Sequence, residues 1–535
     1  MMEGISHDLL QLIVVFVVTF PKSGNYRLIS RGWKSAFDRC VTRLSLKKKD
    51  DSNGRFLAEV VDKNTPNVTE LIMRHDCNID LAPLSRVLSQ KLTSLKVYGG
   101  HWGIHNFSGF PEALSHLTYL KSLDLHACSM EKTHFDLLVP SLTGLKLLQT
   151  LDLGRNYMGH LAAVTLSPYF AALTSLTKLV LSENLTSDHG DDQQREAIAS
   201  FLRPLKSLTL LRHLDLSFNG FGNTESIHLE LANLLCPMTR LRELLIGSNS
   251  LGFPGLMALA PSLEGLAELR VLGFGSNAVT IGSRWRNLSF SFLAKMTDLI
   301  SLDLSCNSMI GQDFADVAAS LPGSVENLDL SRNHLPASAV RTLFPSFRNI
   351  RGLNLDATCL VAESLVPFAP ACLAGLHTLS IASTNLETDS GALSSIFRHL
   401  KELRELDLGH TQIGRILASL APSLGGMTAL RSLKLASNGI GIYDGATSLA
   451  MALEKLTGLR TLCLPFNGLK SADMRTLMTS LTNMAYLETL DLNSNYICSA
   501  GVEALVHHFE KTESLRDMDL SHNFNSKSHR KLTRD

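Results

Sequence analysis

A chain of 535 residues with fifty basic and fifty acidic side chains carries no net charge, which excludes a nucleic-acid or anionic-membrane surface driven by bulk charge. Hydrophobic residues make up 45% and aromatic residues only 6%, so the core has to be aliphatic. No H-E-x-x-H, C-x-x-C or glycine-rich phosphate loop occurs, and the sequence predicts no enzyme, no metal site and no cofactor.

The chain opens with an apolar stretch, Leu9 to Phe20. Glu3 and Asp8 precede it without any Lys or Arg, and it is too short to cross a bilayer, so it reads as an internal helix rather than a secretory leader. A break from Pro21 to Gly24 separates it from a second helical pattern carrying Leu28, Ile29, Trp33 and Phe37. The run from Tyr26 through Leu28, Ile29 and Ser30 to Trp33 resembles the second half of the F-box, the helical module that docks receptors onto the Skp adaptor of cullin-RING ubiquitin ligases. The family's usual Leu-Pro start is replaced here by Ile5 and Ser6. The resemblance covers residues 1–46 and implies an adaptor contact through Leu9, Leu10, Ile13, Leu28, Ile29 and Trp33. Two helices at this place would equally serve as a cap over the first hydrophobic layer of a solenoid.

After a linker over 47–67, the spacing Leu-x-x-Leu-x-Leu-x-x-Asn recurs every 24 to 35 residues, from Val68 to a last unit starting at Leu515. Leu211, Leu214, Leu216 and Asn219 form one instance; Leu487, Leu490, Leu492, Asn495 and Ile497 form another. Counting the first leucine as position 1, positions 1, 4 and 6 point inward and 3, 5 and 7 point out from a short strand. The Asn at position 9 is expected inside, its amide meeting backbone groups that the bend leaves unpaired. Thr358, Thr384 and Thr411 stand there in three consecutive units, and Cys128 in another. The second half of each unit shows helical periodicity, as in 362–376 and 500–515. Seventeen such units over 68–526, before a basic tail at 527–535, resemble leucine-rich repeats of the ribonuclease-inhibitor type. That resemblance implies an α/β solenoid, a horseshoe with parallel strands on its concave side and helices on its convex side.

Function is expected where the repeat is interrupted. Aromatic residues in a polar groove are the usual interface anchors, which selects Tyr98, Trp102, Phe218 and Phe466, with Cys463 beside them and Trp285 on a loop. The 35-residue unit from Leu176 carries an acidic insertion, 186–196, expected to be a loop. Position 5 is a column of aspartates, Asp124, Asp152, Asp215, Asp303, Asp329, Asp407, Asp491 and Asp519; arginines recur at position 2 and are expected to neutralise it. Nine scattered cysteines, without terminal clusters, are expected as free buried thiols in a reducing compartment. The sequon at Asn184 falls on a ladder position and is expected buried. The sequence thus predicts a cytoplasmic or also nuclear protein, monomeric within a larger complex, that binds a protein on its repeat surface. The F-box resemblance adds a Skp-type adaptor and cullin as partners and makes the chain a ligase substrate receptor. A free-standing scaffold or inhibitor, and a GTPase-activating repeat protein, are the other readings.

Overall fold

The computed structural model describes residues 43–46, 67–74, 81–99, 107, 109–185, 192–279, 290–365, 373–509, 514–523 and 531–533. The chain divides into two compact units, 1–272 and 273–535. Both are built the same way: a short strand, a tight turn, a helical segment, and a return to the next strand.

In the first unit the strands Arg43–Leu46, Glu70–Arg74, Ser94–Tyr98, Ser122–Asp124, Thr150–Asp152, Lys178–Val180, His213–Asp215 and Glu243–Leu245 pair in parallel, each with the next. In the second, the parallel series runs from Ser301–Asp303 to Asp517–Asp519, and Lys531–Thr533 closes it antiparallel. Register never slips. Position 4 always faces position 4, as Leu214 faces Leu244 and Leu462 faces Leu490. The reason is burial: a shift by one residue would turn every inward leucine to solvent, and each buried leucine contributes about 1.5–3 kcal/mol.

The strands stop after three residues because position 8 adopts the left-handed conformation in unit after unit, with φ of 51° to 58° from Ala127 to His522. None of these residues is glycine, and the conformation costs about 1–2 kcal/mol for such residues. The ladder beneath holds it. Asn219 is fully buried; its Oδ1 accepts from the Asn184 and Leu185 amides, and its Nδ2 donates to the Leu181 and Leu216 carbonyls. Asn184, itself a rung, is buried as expected. Each threonine rung bonds back to its own strand, Thr358 Oγ1 donating to Leu355 O at 2.6 Å. Cys128 donates from Sγ to Val97 O.

Three boundaries differ from those read in the sequence. The strand Arg43–Leu46 lies inside the stretch assigned to the N-terminal module, because Leu44 and Leu46 pair in parallel register with Leu71 and Met73 of the next strand. Lys531–Thr533 is a strand within the segment taken as tail. In the insertion, Asp192 to Glu196 begin the helix Asp192–Leu202 rather than a loop, with Asp192 in its first turn, where an acidic group suits the helix dipole; 186–191 lie outside the described residues. Of 362–376, the described residues are helical at the 3-10 turn Ala362–Leu365 and again at 373–374; 500–515 yields the helix Ser499–Phe509.

A recurrent serine ties neighbouring helical segments together, and sequence reasoning passed over it. Ser141, Ser262 and Ser480 donate to the carbonyls of Pro111, Ala232 and Ala450, one repeat earlier, at 2.7 to 2.9 Å. Two of them follow a proline inside their helices, Pro140 and Pro261.

Candidate binding surface

Positions 3, 5 and 7 form the polar face of the strands, opposite the leucines. The aspartates of position 5 are first of all architecture. In all eight, Oδ1 accepts the backbone N–H two residues further on, at 2.8 to 3.1 Å, a side-chain turn that orders the exit from the strand. The expectation that the arginine column neutralises them is not met. Arg242 pairs with Glu268, Arg351 with Glu326, and Arg460 with Glu488, because position 2 precedes the strand and meets the start of the adjoining repeat.

The two units differ in charge on this face. In the first, nitrogen-bearing side chains meet carboxylates: Lys96 lies 2.6 Å from Asp124, His126 Nδ1 lies 3.1 Å from Asp152, and His213 contacts Glu243. In the second, positions 3, 5 and 7 of the parallel strands carry Asp303, Asp329, Asp356, Glu405, Asp407, Asp491, Asp517 and Asp519 against one cation, Lys434, 3.6 Å from Asp407. Burial pushes the Asp303 and Asp356 carboxyls above the ordinary range, against the hydrogen bonds each accepts.

Of the residues singled out in the sequence, Tyr98 ends the strand Ser94–Tyr98 and is exposed. Phe218 and Phe466 occupy position 8, in the left-handed turn, and are 56% and 62% exposed. Cys463 sits half-buried in position 5 between Lys434 and Asp491. Trp102 and Trp285 lie outside the described residues, as do Leu9, Leu10, Ile13, Leu28, Ile29 and Trp33. Phe218 belongs to the first unit and Phe466 to the second.

Around Phe466 the structure adds residues that the sequence reading missed. Ile442 is 66% exposed, Tyr443 43% and Tyr496 53%. Gly468 lies between Ile442 and Tyr496: a methyl group there would stand 2.9 Å from Ile442 Cγ1 and 3.8 Å from Tyr496 Cε2. Arg415 packs 4.7 Å from the centre of the Tyr443 ring and donates to its hydroxyl at 3.0 Å. The result is a ridge of large apolar side chains on three successive turns. Its sequence signal is a bulky residue beside a rung, as in Phe466–Asn467 and Asn495–Tyr496, while Ile442 and Tyr443 lie further past Asn438.

A family model described as "Leucine Rich repeat" matches residues 207–224 and 483–506, two segments that here form rung, turn and strand. The chain is built of leucine-rich repeats. The zebrafish (Danio rerio) transforming growth factor beta activator LRRC33 is 26% identical over 391 residues, covering 62% of this chain and 55% of that protein. The mouse (Mus musculus) capping protein, Arp2/3 and myosin-I linker protein 3 is 28% identical over 252 residues, 43% of this chain and 18% of that protein. The chain thus spans about half the length of the first relative and under a fifth of the second. A solved leucine-rich-repeat protein of Leptospira interrogans is 17% identical with a TM-score of 0.38, over 85% of this chain and 91% of its own.

The cysteines of the leucine-rich repeats depart from the expected buried thiols. Among the described residues Cys128 is buried and Cys463 half-buried, while Cys236, Cys306, Cys359 and Cys498 are exposed. The exposed ones fall in turns or at a helix end, where small side chains suffice and burial is not needed. Burial pushes the Cys128 thiol up to about 12 and Cys463 up to about 11. The Ser471 hydroxyl, 2.9 Å from Sγ, and the backbone amides that open the helix Ser499–Phe509 hold Cys498 below its ordinary value. Thiolate is the reactive form. Iodoacetamide at neutral pH is therefore expected to label Cys498 in the folded protein and to spare Cys128 and Cys463 until it unfolds, with Ser471→Ala slowing Cys498; mass spectrometry of the digested protein reads each site. Equal labelling of Cys128 and Cys498 before unfolding would contradict this. Among the described residues no helix is long and apolar enough to cross a membrane, and no His, Cys, Asp and Glu cluster could hold a metal ion.

Proposed function

We propose that the chain is a substrate-recognition subunit of a Skp–cullin–F-box-type ubiquitin ligase, with residues 5–46 binding the adaptor and the repeat surface holding the substrate. The reading is carried by the Tyr26 to Trp33 sequence and by its direct junction with the ladder. Ten residues after Trp33 the chain enters the strand Arg43–Leu46, in parallel register with Glu70–Met73 and with Arg43 Nε 2.6 Å from Glu70. An adaptor-binding module joined this closely to the ladder would present a bound substrate at a fixed distance from the ligase core, which a transfer reaction needs. The ligase subunits perform the chemistry; this chain supplies recognition. The names of the two curated relatives, a transforming growth factor beta activator and a capping protein, Arp2/3 and myosin-I linker, support protein binding as the role of the repeats.

Co-precipitation with a Skp-type adaptor tests it. Wild type is expected to recover the adaptor, and Leu10→Asp/Trp33→Ala to lose it by more than roughly tenfold, since buried aromatic and aliphatic anchors dominate such interfaces. Failure of wild type to recover the adaptor sinks the ligase role and leaves residues 5–42 as a cap. A double variant that aggregates instead of losing the adaptor selectively points the same way.

A further inference from the structure

We infer that the ridge at Ile442, Tyr443, Phe466 and Tyr496 docks a basic segment of another protein, one that carries an aliphatic or aromatic anchor between lysines or arginines. This deepens the substrate role proposed above and rests on it only in taking the repeat surface as the binding face. Soluble proteins leave single apolar side chains exposed as a matter of course, but contiguous ones mark interaction sites. Here four large side chains are exposed on consecutive turns, and Phe466 is held outward by a left-handed backbone at φ 56°. Glycines keep the backbone between them low: Gly441 packs against the Gly468 carbonyl so closely that an added methyl would meet its oxygen at 2.4 Å. The ridge is therefore built into the stacking of the repeats.

Charge decides the partner. The strand of Phe466 starts at Thr461, and Glu405 lies two strands away through the register Glu405, Ser432, Thr461, about 10 Å at the usual strand spacing. Asp491 and Asp519 stand on the next two strands on the other side. Lys434, the one cation at these strand positions, faces Asp407; Arg351, Arg460 and the ridge's own Arg415 are engaged by Glu326, Glu488 and Glu387, and Arg431 donates to the Gly458 carbonyl. A chain with equal numbers of acidic and basic residues has thus gathered carboxylates on the strands that lead into its apolar ridge, where they attract cations and repel acidic competitors. The neighbouring side chains, Ser432, Thr461, Ala436 and Pro465, are short, so long lysines and arginines fit above them.

A random dodecapeptide phage library panned on the full-length chain is the probe. Selected peptides are expected to place Lys or Arg around an apolar residue. The strongest of them, synthesised with a fluorophore, should lose roughly tenfold in affinity to Phe466→Ser/Tyr496→Ser and several-fold to Glu405→Lys. Glu405 caps no turn, so the second variant keeps the fold; far-ultraviolet circular dichroism and the melting temperature check both. Affinity should also fall between about 50 and 300 mM salt, as screening shortens the reach of the carboxylates. Acidic or neutral selected sequences, no selection at all, or peptides that bind the Phe466→Ser/Tyr496→Ser variant as well as wild type each overturn the inference. Recovery of the Skp-type adaptor, measured on the same variants, should be unchanged, so loss of the ridge and loss of the ligase role are read separately.

Discussion

Replacing Asn219 by alanine is expected to lower the stability of the chain by about 3–5 kcal/mol, the cost of leaving two buried amides and weakening two carbonyl contacts at about 1–3 kcal/mol for each stranded group. The side chain is fully buried. Its Oδ1 serves Asn184 N at 2.9 Å and Leu185 N at 2.8 Å, and its Nδ2 serves Leu181 O at 3.1 Å and Leu216 O at 2.9 Å. Because each repeat is stabilised through its neighbours, the loss should spread: the denaturant midpoint falls and the unfolding transition broadens or splits. Thr358→Val is the control. It is nearly isosteric and removes one bond, to Leu355 O, worth about 0.5–1.5 kcal/mol. Equal effects of the two substitutions in urea unfolding would show that the rungs do not carry the load assigned to them.

Gly441→Ala should cost about 2–3 kcal/mol, at the upper end for overpacking, and should also disturb the ridge. The added methyl would stand 2.4 Å from Gly468 O and 2.7 Å from both Gly468 C and Leu469 Cα, all backbone atoms that cannot turn aside. Relief requires the two loops to part, and Ile442 and Tyr443 ride on the loop that moves. The melting temperature should drop, and the basic peptide selected on wild type should bind more weakly. Gly323→Ala, where nothing lies within 4 Å, should leave both unchanged. A stable Gly441→Ala protein with intact binding would mean that the close stacking of these loops is not what displays the ridge.

The inward leucines and the identity of the rungs were legible in the sequence because they lie within nine residues of one another, a spacing that burial enforces in every unit, and its recurrence every 24 to 35 residues displays the period. The same spacing located position 8 beside the strand, though not its left-handed turn, which arises from the rung beneath. Charge was the harder part. Aspartates at position 5 and arginines at position 2 look like partners in one dimension, yet Arg460 reaches Glu488 and Asp491 turns to Asn493 N, since pairing depends on which residue a neighbouring repeat, some 28 residues away, places alongside.

The solenoid is therefore written into the order of residues: a parallel ladder of short strands whose core is leucine and whose turns are closed by asparagine, because hydrophobic burial and backbone satisfaction admit no other arrangement of that period. The surface is settled only once the repeats stack. The strand at Arg43–Leu46, the serine bonds between helices, the unbalanced carboxylates of the second unit and the ridge from Ile442 to Tyr496 all rest on contacts between residues of adjoining repeats, and distance along the chain hides them.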